Sequence, residues 1–265
     1  MRVKVEDQTL VLSNLDKQLY PDGTTKAEII DYYTQLAPVI LPHLIDRQVT
    51  RLRFPDGADE PGFFEKQVPQ GTPKWVKVSP EGLVMCQNLP TLVWLANLAA
   101  LELHTPQWKV GYEPDRVVFD LDPGEPAGLD ECRAVAIALR DRLAADGLKS
   151  FPKTSGKKGM QVTCLAPVDP RAIAAEFAKA APKMITDQMD KKLRHGKVFI
   201  DWSQNSGYKT TICVYSLRAG FAPTVSAPLT WDEVEAGDFT AADLNLHTVP
   251  ERLAKLGDLH SGLLT

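Results

Sequence analysis

The amino-acid sequence reads as an α/β (α+β) protein, a core of mixed β-sheets flanked by helices. Three observations carry that reading. Apolar, β-branched runs of strand length occur at residues 49–54, 116–121, 160–165 and 197–202. Helical patterns fall between them without strict strand–helix alternation, so a purely parallel sheet is not required. At 265 residues, 44% hydrophobic and 24% charged, the chain is an ordinary globular protein. That length buries one large core, or two lobes around a cleft.

Residues 2–5 and 9–12 alternate charged and apolar side chains and predict a short opening hairpin. Thr25 and Glu28 form a capping box for a helix that turns Ile29, Ile30, Tyr33 and Leu36 inward. Residues 49–54 follow as a strand, and Asn88 and Pro90 open a second helix that runs through Leu101. The strongest strand is 116–121. An amphipathic helix over 130–145 is stopped by Gly147, and a long helix over about 170–193 separates the strands at 160–165 and 197–202. With no internal repeat, low-complexity tract or linker, residues 1–265 are expected to form one catalytic domain.

Several function classes are excluded or disfavoured. The longest apolar stretch, residues 92–101, is broken by Asn97 and is too short to span a bilayer, so no membrane partner is expected. Cys86, Cys132, Cys164 and Cys213 never form a Cys-x-x-Cys unit. A zinc site or disulfide framework is therefore not expected, and a reducing cytoplasm fits. The formal net charge of −4 is unevenly distributed. Residues 191–218 hold six basic side chains around a lone acid, Asp201, whereas residues 231–258 hold seven acidic and two basic ones.

Three segments bear chemistry. In VVFDLDPGE, Asp120 and Asp122 project from the same side of a strand, roughly 7 Å apart. Carboxylates so placed repel unless a divalent cation neutralises them. Asp201, in VFIDWSQN, ends another apolar strand. Three strand-borne aspartates meet the demand of a two-metal site, and Mg²⁺ or Mn²⁺ suits an all-oxygen ligand set. The third segment, PKTSGKKGMQV, is a Gly-rich basic turn without Walker spacing. Its Gly156 and Gly159 permit close approach to a phosphate, and Ser155 and Lys158 add a hydroxyl and a cation.

Together these blocks resemble the polymerase domain of bacterial DNA ligase D, a branch of the archaeo-eukaryotic primase superfamily. The resemblance runs from LSNLDKQLYPDGTTKAEIIDYY through TRLRFPDG, GFFEK, ALELHTPQW, VVFDLDPGE and TSGKKG. It continues through KVFIDWSQNS, KTT and YSLR to TVSAPLTWDEV, nearly the whole chain. It implies a primase-polymerase core with the active site in a central cleft. It assigns Asp120, Asp122 and Asp201 to two divalent metal ions, with Mn²⁺ preferred over Mg²⁺. His104, Ser155, Lys158, Arg194, Gln204, Lys209 and Arg218 are assigned to the incoming nucleotide. Lys17 and Lys26 are assigned to a 5′-phosphate on the downstream strand, and Phe63 and Phe64 to bases.

The implied activity is template-directed extension of DNA ends or short gaps in bacterial DNA repair, with ribonucleotides preferred, acting on NTP or dNTP. The implied partners are gapped or 3′-overhanging DNA with a 5′-phosphate end, with Ku and a DNA ligase as candidate proteins; end joining and excision repair both stay open. One position departs from the family pattern: Gln161 stands where a histidine is usual. No Lys-x-Asp-Gly ligase motif occurs, so no ligase module is expected. The rival classes are a metal-dependent nuclease and a catalytically silent DNA-end-binding module.

Overall fold

The structure is a computed structural model and describes residues 1–264. Strands β1 (Arg2–Val5) and β2 (Gln8–Val11) form the expected hairpin. Helix α1 (Lys26–Leu44) begins at the predicted capping box. The Thr25 hydroxyl accepts from the Glu28 amide at 3.4 Å, and the Glu28 carboxylate accepts from the Thr25 amide at 2.8 Å. Ile29, Tyr33, Leu36 and Ile40 are fully buried along one stripe of this helix.

Strands β3 (Thr50–Arg53) and β4 (Phe63–Glu65) precede a two-residue ribbon, β5 (Lys77–Val78) with β6 (Val84–Met85). Helix α2 (Leu89–Asn97) is capped by Asn88, whose side chain accepts from the Thr91 amide. It stops short of the expected Leu101. Ala99 takes a left-handed backbone, φ 56°, and turns the chain into β7 (Ala100–Thr105). Periodicity could not separate the two, because a continuous apolar run suits a buried helix and a buried strand equally.

Next come β8 (Arg116–Pro123), α3 (Leu129–Ala145), β9 (Ser150–Thr154), β10 (Met160–Leu165) and α4 (Pro170–Ala180). The helix expected to reach 193 ends at Ala180. Pro182 follows, and the residue before it, Ala181, is pushed to an extended φ of −132°. The chain continues as β11 (Ile185–Thr186), β12 (Val198–Asp201), β13 (Thr211–Ile212), β14 (Leu217–Arg218) and β15 (Thr224–Val225). Helices α5 (Trp231–Ala236) and α6 (Thr248–Leu256) close the described chain.

Two sheets organise the molecule, in the orders β11-β12-β8-β10-β9 and β13-β7-β3-β4. Among the described residues only β11 and β12 pair in parallel, so the mixed-sheet expectation holds. Strand β8 is central, as its apolar run implied. Val117, Phe119 and Leu121 alternate along it with Val118, Asp120 and Asp122, so its second face starts apolar and ends in two carboxylates. That face looks across to β7 and β13. A polar cavity of about 30 Å³ between the two sheets is lined by Val118, Lys153, Gln161 and Thr163 on one side and Thr105, Thr211 and Ile212 on the other.

Candidate active site

Cross-strand register builds the site. Asp201 on β12 pairs with Asp120 on β8, Asp120 pairs with Gln161 on β10, and Gln161 pairs with Lys153 on β9. Cross-strand partners share a face, so these four side chains form one polar row, with Asp122 one pleat further along β8. One carboxylate oxygen from each of Asp120, Asp122 and Asp201 lies within 4.8 Å of the others. The three predicted metal ligands therefore converge although Asp201 is remote in sequence.

Two of them are held firmly. Asp201, 7% exposed, accepts from the Ser203 amide at 3.1 Å and hydroxyl at 2.5 Å, and from the Gln204 amide nitrogen at 2.8 Å. Asp120 accepts from Gln161 Nε2 at 2.9 Å. Among the described residues, no basic side chain forms an ion pair with any of the three. Burial, followed by the neighbouring Asp122 charge, therefore pushes the Asp120 carboxyl up to about 7 against hydrogen bonding from Gln161. Burial and the Asp201 charge raise Asp122 as well, opposed by Arg194 and Arg218. An all-oxygen, mutually repelling set of this kind fits a hard divalent cation.

Beside the triad opens a cleft of about 380 Å³, lined by His104, Asp120, Asp122, Ser155, Lys157, Lys158, Gly159, Gln161, Gln204, Thr210, Thr211, Ile212 and Arg218. Its floor is organised by Glu102 on β7. This carboxylate is 2% exposed, receives the Ala219 amide and the His104 Nε2 hydrogen bond at 3.0 Å each, and lies 3.5 Å from both Lys157 Nζ and Arg218 Nε. Burial opposes its ionisation, but the His104 hydrogen bond and the two cations outweigh that and pull it down to about 2. Burial lowers the His104 pKa despite the Glu102 contact, so its ring is neutral at pH 7. Its Nε2–H then donates to Glu102, which leaves Nδ1 as an acceptor.

The Gly-rich turn wraps around Ser155, whose hydroxyl accepts from the Lys157 amide at 3.3 Å and the Gly159 amide at 3.2 Å. Its glycines serve packing within the chain. A Cβ at Gly156, φ +74°, would sit 2.5 Å from Arg218 Cγ, and one at Gly159 would sit 2.2 Å from the Leu121 carbonyl oxygen. The turn thus lies directly on the strand that carries the aspartates.

Of the residues assigned to the nucleotide, His104, Ser155, Lys158, Gln204 and Arg218 line the cleft. Lys158 is mostly exposed and pairs with Glu125 at 2.6 Å. Arg194 stands to one side: its guanidinium lies 3.7 Å over the Phe199 ring and donates to the Met189 carbonyl at 2.6 Å. From there its charge still reaches Asp122. Lys209 is exposed next to the cleft residues Thr210 and Thr211.

The residues assigned to DNA also gather. The Lys26 amide donates to the Lys17 carbonyl at 2.9 Å, and Lys17 Nζ donates to the Pro55 carbonyl at 2.6 Å. Burial, then the Lys17 and Arg53 charges, lowers the pKa of Lys26. Phe63 and Phe64 are exposed on the edge strand β4 rather than in the core, and the Phe64 ring meets His104 edge-on at 5.8 Å.

The family model of the LigD primase-polymerase domain matches residues 25–260. The chain belongs to that family. It is 43% identical over 280 residues to the multifunctional non-homologous end joining DNA repair protein LigD of Mycobacterium tuberculosis, covering 96% of this chain and 37% of that protein. With the bifunctional non-homologous end joining protein LigD of Bacillus subtilis it shares 35% identity over 94% of this chain and 43% of that one. This LigD primase-polymerase domain therefore spans less than half the length of those two relatives. Among solved structures, the polymerase domain from Mycobacterium tuberculosis ligase D in complex with DNA superposes at a TM-score of 0.91 with 41% identity. That match covers 96% of this chain and 98% of the other. No described helix is long and apolar enough to cross a membrane.

Sequence reasoning missed Glu102, Lys153 and Lys157. Glu102 and His104 share a face by the two-residue strand period, a signal hidden because the helix was carried through Leu101 and no strand was assigned after it. Lys153 is 4% exposed, with Nζ donating to Ser226 Oγ at 2.6 Å; burial lowers its pKa to about 7 against the Asp120 charge.

Proposed function

We propose that this LigD primase-polymerase domain is a template-directed nucleotidyltransferase that extends DNA ends or fills short gaps in bacterial DNA repair. The observation that carries the reading is the convergence of Asp120, Asp122 and Asp201 beside a cleft lined by Lys157, Lys158, Arg218 and Ser155. A nuclease needs the carboxylates but not a cationic wall large enough for a triphosphate.

Two divalent ions held by the triad would supply Lewis-acid activation of a primer 3′-hydroxyl and stabilisation of the departing pyrophosphate. The remaining work falls to the chain. Lys157, Lys158 and Arg218 neutralise phosphate oxygens, and the Ser155 and Thr211 hydroxyls are placed to hydrogen-bond them. Arg194 and Lys209 add positive charge at the rim. Gln204 and Ser203 fix Asp201, and Gln161 fixes Asp120, so both ligands are set before metal arrives. Glu102 holds His104 as a neutral acceptor facing the nucleotide. Lys17 and Lys26 receive a 5′-phosphate across the gap, and Phe63 and Phe64 stack on bases.

Mn²⁺ over Mg²⁺, ribonucleotides over deoxyribonucleotides, and cooperation with Ku and a DNA ligase in the bacterial cytoplasm belong to the same proposal, as does a single catalytic domain over residues 1–265. The test is primer extension on a gapped duplex, with and without a 5′-phosphate, comparing NTPs with dNTPs and Mn²⁺ with Mg²⁺ while monitoring pyrophosphate. Template-matched extension with stoichiometric pyrophosphate supports the reading. Strand shortening, or DNA binding without extension, refutes it.

A further inference from the structure

The hairpin of β14 and β15 joins two parts of the proposed DNA face. Its last strand pair before the loop carries Arg218, a wall of the nucleotide cleft, and its tip spans residues 219–223. It is pinned at several points. The Ala219 amide donates to Glu102 at 3.0 Å, and the Thr224 hydroxyl donates to the Gly156 carbonyl at 2.6 Å. The Tyr20 hydroxyl donates to the Arg218 carbonyl at 3.1 Å, and the Asp22 amide donates to the Phe221 carbonyl at 3.3 Å. From this braced tip Phe221 projects 75% exposed.

A single exposed phenylalanine is ordinary on a protein surface. The place of this one is not. Asp22 lies at the tip of a second hairpin, closed by the Gln18–Thr25 bridge, whose base carries Lys17 and Lys26. Asp22 at the tip touching Phe221 is five residues from Lys17 and four from Lys26, a span of at most about 13–18 Å. On the other side, Glu102 is register partner to Leu52, and Leu52 to Phe64, so these share one face of the four-stranded sheet. The Ala219 bond to Glu102 anchors the start of the tip to that face, which Phe64 also occupies.

We propose that Phe221 is a further DNA-contacting residue, a stacking platform for the terminal base pair of the downstream duplex whose 5′-phosphate sits at Lys17 and Lys26. Every nucleobase offers a π-face, so such a platform measures where the gap ends without reading sequence. Cations nearby draw the backbone in. An aromatic on a rigid, hydrogen-bonded mount loses little freedom on stacking. The inference rests on the gap-filling reading and adds to it the group that senses the far edge of the gap.

The test uses the whole chain, with 2-aminopurine as the 5′-terminal nucleotide of the downstream strand, in the absence of nucleotide. Wild type should quench this fluorophore on binding. Phe221→Ala and Phe221→Leu should lose the quenching and about 5-fold or more in affinity for gapped DNA. Phe221→Trp should restore both. Affinity for an open template–primer lacking the downstream strand should be unchanged in all variants. Equal losses on gapped and open DNA, or full quenching by Phe221→Leu, would overturn the proposal. Quenching does not require turnover, so a chain that binds and quenches but extends no primer refutes the polymerase reading and leaves the platform standing.

Discussion

Asp120→Asn should stabilise the metal-free protein while weakening its response to metal. In the folded chain the Asp120 carboxyl sits at about 7 against an ordinary 3.8, because it is buried among carboxylates with no ion-paired cation. Its folded pKa is raised, so the protonated form favours folding. That contribution is complete below about pH 4 and is lost as pH rises through about 7. Ionising it at pH 8 costs about 4 kcal/mol at most. Asp120 and Asp122 titrate together and the cleft admits water, which reduces this to about 1–2 kcal/mol.

Asparagine keeps the oxygen that accepts from Gln161 and removes the charge. In EDTA at pH 8 the variant should therefore melt about 3–6 °C above wild type. At pH 5 the folded carboxyl is largely protonated while the unfolded one still ionises, so the difference should fall to less than about half and vanish only below about pH 4. Saturating Mn²⁺ reverses the order, since an ion at 100 times its Kd adds about 2.7 kcal/mol to the wild type. The assay is calorimetric melting at the two pH values, with EDTA or Mn²⁺. A variant less stable than wild type in EDTA at pH 8, or a difference indifferent to pH, would refute the electrostatic account of the triad.

Asp122→Ala, at the exposed end of the triad, should reduce primer extension by about 10³-fold or more while DNA affinity by filter binding stays within about twofold. Glu102→Gln keeps the shape but removes the anion between His104, Lys157 and Arg218. Steady-state kinetics should show kcat/KM for the nucleotide falling by about 10- to 100-fold, together with a lower melting temperature because the buried anion stabilises the fold, and an unaltered KM would remove Glu102 from nucleotide positioning. Lys17→Ala with Lys26→Ala should make binding to gapped DNA indifferent to the 5′-phosphate, whereas wild type should prefer it. Wild-type DNA affinity should fall steeply with salt, because lysine and arginine contacts release condensed counterions, and a flat titration would count against a cationic binding face.

How much was legible in the sequence follows from the range of each signal. Local signals survived intact: the Thr25–Glu28 box, the Asn88 cap and the alternation that puts Asp120 and Asp122 on one face are all present. Signals depending on the end of an element did not, because apolar residues 92–101 suit helix and strand alike and Pro182 was not given its stopping role. Convergence of Asp201 with the pair was an inference from chemistry, and only sheet order, with β12 beside β8, makes it geometry. The burial of Glu102 and Lys153 could not be read locally, since burial of a charge is settled by partners distant in sequence. Arg218 and Ser226, which hold them, are more than seventy residues away from each.

The Gln161 departure can be argued through from the same geometry. Gln161 is the register partner of Asp120 on one side and Lys153 on the other. A histidine at this position could give Asp120 one N–H, and the glutamine gives it Nε2–H at 2.9 Å, so the bond that orients the metal ligand is kept. What the amide adds is an oxygen. Oε1 is buried without a protein partner and borders the polar cavity of about 30 Å³ that Lys153 also lines. A cavity of that size and polarity suits one or two water molecules. Water there would link Oε1 to Lys153 and carry positive polarisation toward Asp120 along the same face of the sheet. Gln161→His should then retain extension, because the donor to Asp120 is restored by the ring. Gln161→Leu should lose it and weaken Mn²⁺ binding measured by calorimetry, because Asp120 is left unoriented. Equal activity of Gln161→Leu and wild type would show that the hydrogen bond to Asp120 is dispensable.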